Sequence, residues 1–272
     1  MQGVRGERAR SKRVCGQDAR SSFDRQARGH CAYRQRRVFR QLLLHHPPKK
    51  GTPRRLIVAD GGGGNDKSYA QNSQDLVADR MLDQMRNGFY VEAGAYDGES
   101  LSNSLFFELH RNWSGLLVEP NPRAFRDLLA KDRAAYATGA CLSIKRNRAQ
   151  RTSFLAHGML GGVAEQRGDN DISAKMSALA AKDARNPYVF VVNATCFPLD
   201  VMLDALSVYT VDFLSLDVEG SEGSVLETID FSRFTIRLLC VEKGDTPRVR
   251  SVLEPLGYRI VKSGALDTFW QK

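Results

Sequence analysis

The run Val91-Glu92-Ala93-Gly94-Ala95-Tyr96-Asp97-Gly98 places two acids among two glycines at the end of a short apolar stretch. Glycine lets a backbone turn sharply and approach a ligand where a Cβ would intrude. A dinucleotide site would need G-x-G-x-x-G and room for a pyrophosphate at the next helix N-terminus. That spacing is missing, and the acids Glu92 and Asp97 repel phosphate and attract cations. The sign of the charge favours S-adenosylmethionine, whose ammonium and sulfonium are both cationic. Glu119, 25 residues after Gly94, closes a second apolar run. A carboxylate there accepts hydrogen bonds from ribose hydroxyls, and both are free in adenosine.

A third group, Leu216-Asp217-Val218-Glu219-Gly220-Ser221-Glu222, follows the strongest apolar run, and Glu242 closes the next one. Three roles stay open for these acids. Asp217, with Glu219 beside it, can act as base toward an acceptor hydroxyl. Asp217, Glu219 and Glu242 can hold a divalent cation that lowers the acceptor pKa. Or the acids only cap the helix that begins near Ser221. His157, Met159 and Gly161-Gly162 are lid candidates in a polar stretch, and simple exposure is the competing reading of His157.

The elements that must carry these groups alternate. Strands are expected at Phe89–Ala93, Gly115–Glu119, Tyr136–Leu142, Tyr188–Val192, Asp212–Val218 and Ile236–Val241. Helices are expected after Ser73, which reads as a cap, then over Leu101–His110, from Pro122 with Asn121 as N-cap, over Leu199–Leu206, and over Val249–Leu256 ended by Gly257. Tyr258–Val261 and Thr268–Trp270 pair as a terminal hairpin. Lys145–Asn186 reads as a polar insertion with one helical patch near Ile172–Ala181. Alternation of strand and helix argues for an α/β fold: a mainly parallel sheet with helices on both faces and ligands beyond the strand carboxyl ends.

The 272 residues carry a formal net charge of +9, but 17 lysines and arginines against five acids lie before Ser68. The other 205 residues hold 23 bases and 26 acids, so the basicity says little about what the folded part binds. Residues 1–67 read as a basic, disordered tail, with an RNA- or lipid-binding arm and a mitochondrial presequence as competing functions; residues 68–272 form the domain. No run of 18 apolar residues and no secretory leader are visible, which points to a cytoplasmic chain. The five cysteines show no zinc spacing, and Cys141, Cys196 and Cys240 sit in apolar surroundings that suit buried thiols. Two glycosylation sequons, Asn112-Trp113-Ser114 and Asn193-Ala194-Thr195, hint weakly at a lumenal setting.

Several stretches together resemble the FkbM-type methyltransferases: Asn87 to Asn103, Trp113 to Pro122, Ala140-Cys141-Leu142-Ser143, Cys196-Phe197-Pro198-Leu199 and Asp212 to Gly220. The likeness covers Tyr69 to Lys272 and is nearest to the animal branch that includes the protein Star. It implies a Rossmann-like class I methyltransferase fold, S-adenosylmethionine as cofactor, and transfer to a hydroxyl oxygen of an unknown acceptor. Carried over, Glu92, Gly94, Ala95, Tyr96, Asp97 and Gly98 cradle the methionyl part, Glu119 stands at the ribose, Cys141 and Leu142 lie by the adenine, and Asn121 joins the cofactor-binding set. Glu92 and Tyr96 replace the Asp and Asn of many bacterial members, and a side chain as large as Tyr96 narrows the pocket. The Star-like resemblance also implies an alternative: a non-catalytic protein with secretory-pathway partners in the trafficking of signalling ligands. In that setting Cys141 and Cys196, both within matching motifs, become a candidate disulfide.

Overall fold

The computed structural model describes residues 35–41, 43–45, 67–146, 148–159, 161–163 and 189–272. Five parallel strands form its centre: β2 (Phe89–Ala93), β3 (Ser114–Val118), β4 (Ala135–Thr138), β9 (Thr210–Leu216) and β10 (Thr235–Glu242). They lie in the order β4-β3-β2-β9-β10. The expected terminal hairpin, β11 (Arg259–Ser263) with β12 (Asp267–Gln271), adds antiparallel through β12 to β10. Side chains alternate across this sheet and separate two cores. Val91, Leu116, Leu214 and Leu239 face α5 (Leu199–Leu206), α6 (Glu222–Leu226) and α7 (Pro247–Leu253). Tyr90, Leu117, Phe213 and Leu238 face α2 (Gln74–Met81), α3 (Leu105–Arg111) and α4 (Pro122–Leu129). The α/β sandwich with helices on both faces is thus present.

Several expectations change in detail. The predicted strand Tyr136–Leu142 divides at Gly139 and Ala140. Its first half stays in the main sheet, while Cys141–Leu142, strand β5, joins a second sheet of order β5-β8-β6-β7. That sheet is built from β6 (Gln150–His157), β7 (Gly162–Val163) and β8 (Val189–Phe197). Strands β6 and β7 therefore occupy part of the stretch expected to be an irregular insertion; the helical patch at Ile172–Ala181 lies outside the described residues. Strand β6 is hard to see in sequence because its first half alternates with polar side chains, Gln150, Arg151, Thr152 and Ser153, and becomes apolar only at Phe154.

Helix α3 starts at Leu105, four residues later than expected, and residues 102–104 before it turn their donors onto Glu92 instead. Ser73 occupies the N-cap position of α2 with a left-handed backbone and no side-chain cap. Asp75 ties down the approach instead, accepting from the backbone N–H of Tyr69 and of Ala70.

The expected disordered tail contains an ordered piece. Residues 35–41 form helix α1, and Leu43–His45, strand β1, pairs antiparallel with β4. Phe39 is fully buried edge-on to Phe197, with ring centroids 5.3 Å apart, and Arg40 Nε donates to the Ala205 carbonyl at 2.8 Å. A single buried aromatic is enough to dock a short amphipathic segment that composition alone would leave in solvent. The other residues before Lys67, with Cys15 and Cys31, lie outside the described set.

Candidate active site

Strands β2 and β9 are neighbours although the main-sheet strands β3 and β4 and the whole second sheet come between them in the chain: β3 and β4 extend to one side, β10 to the other. Chain order reverses between them, and open α/β sheets bind ligands in the crevice at such a point. The two strand ends are tied together. Asp217 N–H donates to the Ala93 carbonyl at 3.1 Å, and Gly94 N–H donates to the Val118 carbonyl at 3.0 Å. Gly94 has φ +87°, and a Cβ there would lie 2.1 Å from the Asp217 carbonyl oxygen. Glycine is required here by the approach of protein backbone, before any ligand arrives.

A cavity of about 390 Å³ opens over these ends, within the roughly 300–1,000 Å³ usual for small-molecule sites. Ten of the expected residues line it: Glu92, Gly94, Ala95, Tyr96, Glu119 and Asn121 from the β2 and β3 ends, Cys141 and Leu142 from β5, and Asp217 and Glu219 from β9. Glu242 and Asp267 add two further acids. Among the described residues the lining includes six carboxylates and no lysine, arginine or histidine. Such a field attracts cations and rejects phosphate.

Glu119 sits at the centre of the β2–β3 side. Its Oε2 accepts from Tyr96 N–H at 2.8 Å and its Oε1 from Asn121 N–H at 2.7 Å, leaving each oxygen a second lone pair for a ligand. Burial pushes its pKa up to about 7, against the two backbone hydrogen bonds that favour the charged form. Tyr96 reaches its position with φ +49°, a left-handed conformation that asparagine adopts more readily than tyrosine. Asn121 caps α4 through Arg123 N–H at 3.1 Å, as expected, and its Nδ2 reaches the Gly158 carbonyl at 3.4 Å.

Other expected contacts take a different form. Glu92 borders the cavity, but its oxygens accept from Ser102 Oγ at 2.9 Å, from Asn103 N–H at 2.7 Å and from Ser104 Oγ. Alternation along β2 turns it to the Tyr90 side of the sheet, where burial raises its pKa against the opposing pull of Arg133 and these donors. Its main work is to fold residues 102–104, which bring Asn103 to the cavity with Nδ2 on Ser215 Oγ at 2.9 Å.

Asp97 and Gly98 do not line the cavity. Partial burial pushes Asp97 upward, but Glu99 N–H, Ser100 N–H and the Ser100 hydroxyl outweigh it and hold its pKa below the ordinary value. Gly98 packs over Leu128, 2.9 Å from where its Cβ would be. Both residues shape the turn.

At the β9 end, one carboxylate oxygen from each of Asp217, Glu222 and Glu242 falls within 4.8 Å of the others. Glu219, expected in this group, lines the cavity outside the triad. Glu222 Oε1 accepts from Val218 N–H at 3.0 Å and Gly220 N–H at 3.1 Å, which fixes the loop. Burial pushes Asp217 up to about 8, helped by the charges of Glu242, Glu219 and Glu222. Its side chain is nonetheless reached by solvent through the cavity, so protein surrounds it without sealing it.

The second sheet supplies a wall that the sequence disclosed only in part. Met159 and Gly161, two of the lid candidates, line the cavity with Gly158, Phe154 on β6 and Val163 on β7, whereas His157 does not. Gln74, whose Nε2 donates to Asp267 Oδ2 at 2.7 Å, closes the far side. Cys141 and Cys196, opposite each other in the β5–β8 pairing, are joined by a disulfide, so these two are not the buried thiols that their neighbours suggested. Cys240 is a buried free thiol.

With this geometry in place, the model of the methyltransferase FkbM domain matches residues 92–260, from the first cavity acid to the last hairpin. The chain belongs to the FkbM methyltransferase family. The match spans the carboxyl ends of β2, β3, β9 and β10, while Gln71, Gln74, Leu266 and Asp267 line the cavity from outside it. No curated protein matches this FkbM chain.

Proposed function

We propose that this domain methylates an acceptor hydroxyl with S-adenosylmethionine as donor. The observation that carries the reading is a cavity at the sheet's switch point lined by carboxylates with no lysine, arginine or histidine among the described residues, and with Glu119 offering unused lone pairs. The residues fit the cofactor in sign and in kind. Glu119 receives the ribose hydroxyls, Cys141 and Leu142 flank the adenine, and the Gly94–Tyr96 backbone follows the methionyl part. When bound, the cofactor supplies an electrophilic methyl group on a sulfonium. Asp217 and Glu219 receive the acceptor hydroxyl at the β9 end and take its proton as the oxygen–carbon bond forms and the carbon–sulfur pair leaves with sulfur. Most of the rate comes from holding the two reactants in line. Titration with S-adenosylmethionine, followed by a search of cell extracts for products heavier by one methyl group, tests this reading.

A second reading is favoured by one observation. The Cys141–Cys196 disulfide suits an oxidising compartment such as the secretory pathway. Among the described residues no helix is long and apolar enough to cross a membrane. In this reading the fold is kept for contacts with secretory-pathway partners, and the cavity binds neither S-adenosylmethionine nor its demethylated product.

A further inference from the structure

The methyl-transfer reading uses Asp217 but leaves the gathering of Glu222 and Glu242 beside it unexplained. Asp217, Glu222 and Glu242 bring three carboxylates together at the β9 and β10 ends. Lys243 Nζ meets Glu242 Oε1 at 2.5 Å from a largely exposed position. Asp217 shares a side-chain hydrogen bond with Glu242; beyond that pair, Glu242 Oε2 is buried without a partner among the described residues. Ser221 is independent of the acids: it is 2% exposed, lines the cavity, and its Oγ is also without a partner. Its hydroxyl caps none of the backbone N–H groups that follow it. A buried hydroxyl left unpaired at the cavity is unfavourable unless something meets it.

We propose that Asp217, Glu222 and Glu242 bind a hard divalent cation, with Ser221 Oγ or a water held by it in the remaining coordination. Oxygen donors without nitrogen or sulfur select magnesium, calcium or manganese over zinc. Opposite ligands stand about 4 Å apart around magnesium and about 5 Å apart around calcium, so a 4.8 Å spread suits the larger ion directly and the smaller after slight contraction. The inference rests on the methyl-transfer reading for its purpose: the cation draws the acceptor oxygen in and weakens its O–H bond. The proton then passes to Glu219, which stands outside the triad, while the new oxygen–carbon bond replaces the carbon–sulfur bond.

Manganese alone is the probe. Electron paramagnetic resonance of free Mn²⁺ in the presence of the full chain reads the bound fraction without any turnover. One ion per chain is expected, with affinity falling at least about tenfold in Glu242→Gln and unchanged in the exposed control Glu254→Gln. If Glu242→Gln fails to fold by thermal melt, Asp217→Asn, which leaves no buried partner stranded, gives the same readout. A free Mn²⁺ signal unaffected by protein up to about 1 mM, or binding that survives both substitutions, overturns the proposal. Calorimetry on the same samples separates the readings: S-adenosylmethionine binding without Mn²⁺ binding rejects only the cation site, and Mn²⁺ binding without S-adenosylmethionine binding rejects only the methyl-transfer reading.

Discussion

Gly94 and Asp217 meet backbone to backbone, so closely that a Cβ on the first would lie 2.1 Å from the carbonyl oxygen of the second. In the methyl-transfer proposal, one contact thereby sets the cofactor side and the acceptor side of the cavity together. Gly94→Ala adds a left-handed penalty of about 1–2 kcal/mol to that overlap and must push β2 and β9 apart. The expected result is a lower melting temperature together with loss of S-adenosylmethionine binding. A variant that keeps both would show that the two sides are positioned independently.

Glu119 gives a pH dependence with a definite sign. Its folded pKa is about 7 against an ordinary 4.5, so between those values the folded protein holds a proton that the unfolded chain has lost. The contribution of this group to stability is present below pH 4.5 and falls as pH rises toward 7. Ribose binding needs the ionised form, which accepts from both hydroxyls. S-adenosylmethionine affinity should therefore rise from pH 6 to pH 8 with release of a proton, detected as a buffer-dependent heat in calorimetry. Glu119→Gln should weaken binding by about 1.5–3 kcal/mol, roughly 10- to 150-fold, and flatten the profile. A steep profile that survives the substitution would assign the proton elsewhere.

Asp217 should separate binding from turnover. Asp217→Asn is expected to lower kcat by about 10²–10⁴ with little change in S-adenosylmethionine affinity, because the side chain stands on the acceptor side. The substitution also removes repulsion from Glu242, Glu219 and Glu222, which raises the carboxyl's pKa. Thermal melts should show the variant gaining stability over the parent at pH 8 and little difference at pH 4. Equal turnover in the two proteins would remove Asp217 from the chemistry.

The Cys141–Cys196 bond predicts a labelling pattern. Alkylation of the unfolded, unreduced chain should leave both cysteines unmodified, and reduction should add two labels by mass. The bond closes a loop of 55 residues, so reduction should cost up to roughly 4 kcal/mol of stability. Full labelling without reductant would refute the bond.

The sequence made much of this legible where pattern and chemistry coincide. The buried parallel strands read as apolar runs, and each ended in an acid, so Glu119, Asp217 and Glu242 were found from strand position alone. Asn121-Pro122 announced α4 correctly because the cap is local. Longer-range events were hidden. Glu92, expected at the ligand, borders the cavity, but its oxygens are taken up by residues 102–104, a partnership the sequence does not show. Asp97 had the composition of a ligand contact and the geometry of a turn cap. Phe154 and Val163 escaped notice because half of β6 is polar and its pairing partner β8 lies some 40 residues away. Phe39 docks through one ring inside a segment whose composition reads as solvated.

The most direct test is calorimetric titration of the folded full chain with S-adenosylmethionine and with S-adenosylhomocysteine. Saturable binding of one molecule of either per chain is predicted, weakened by Glu119→Gln. An intact melting transition with no heat from either compound would contradict the account.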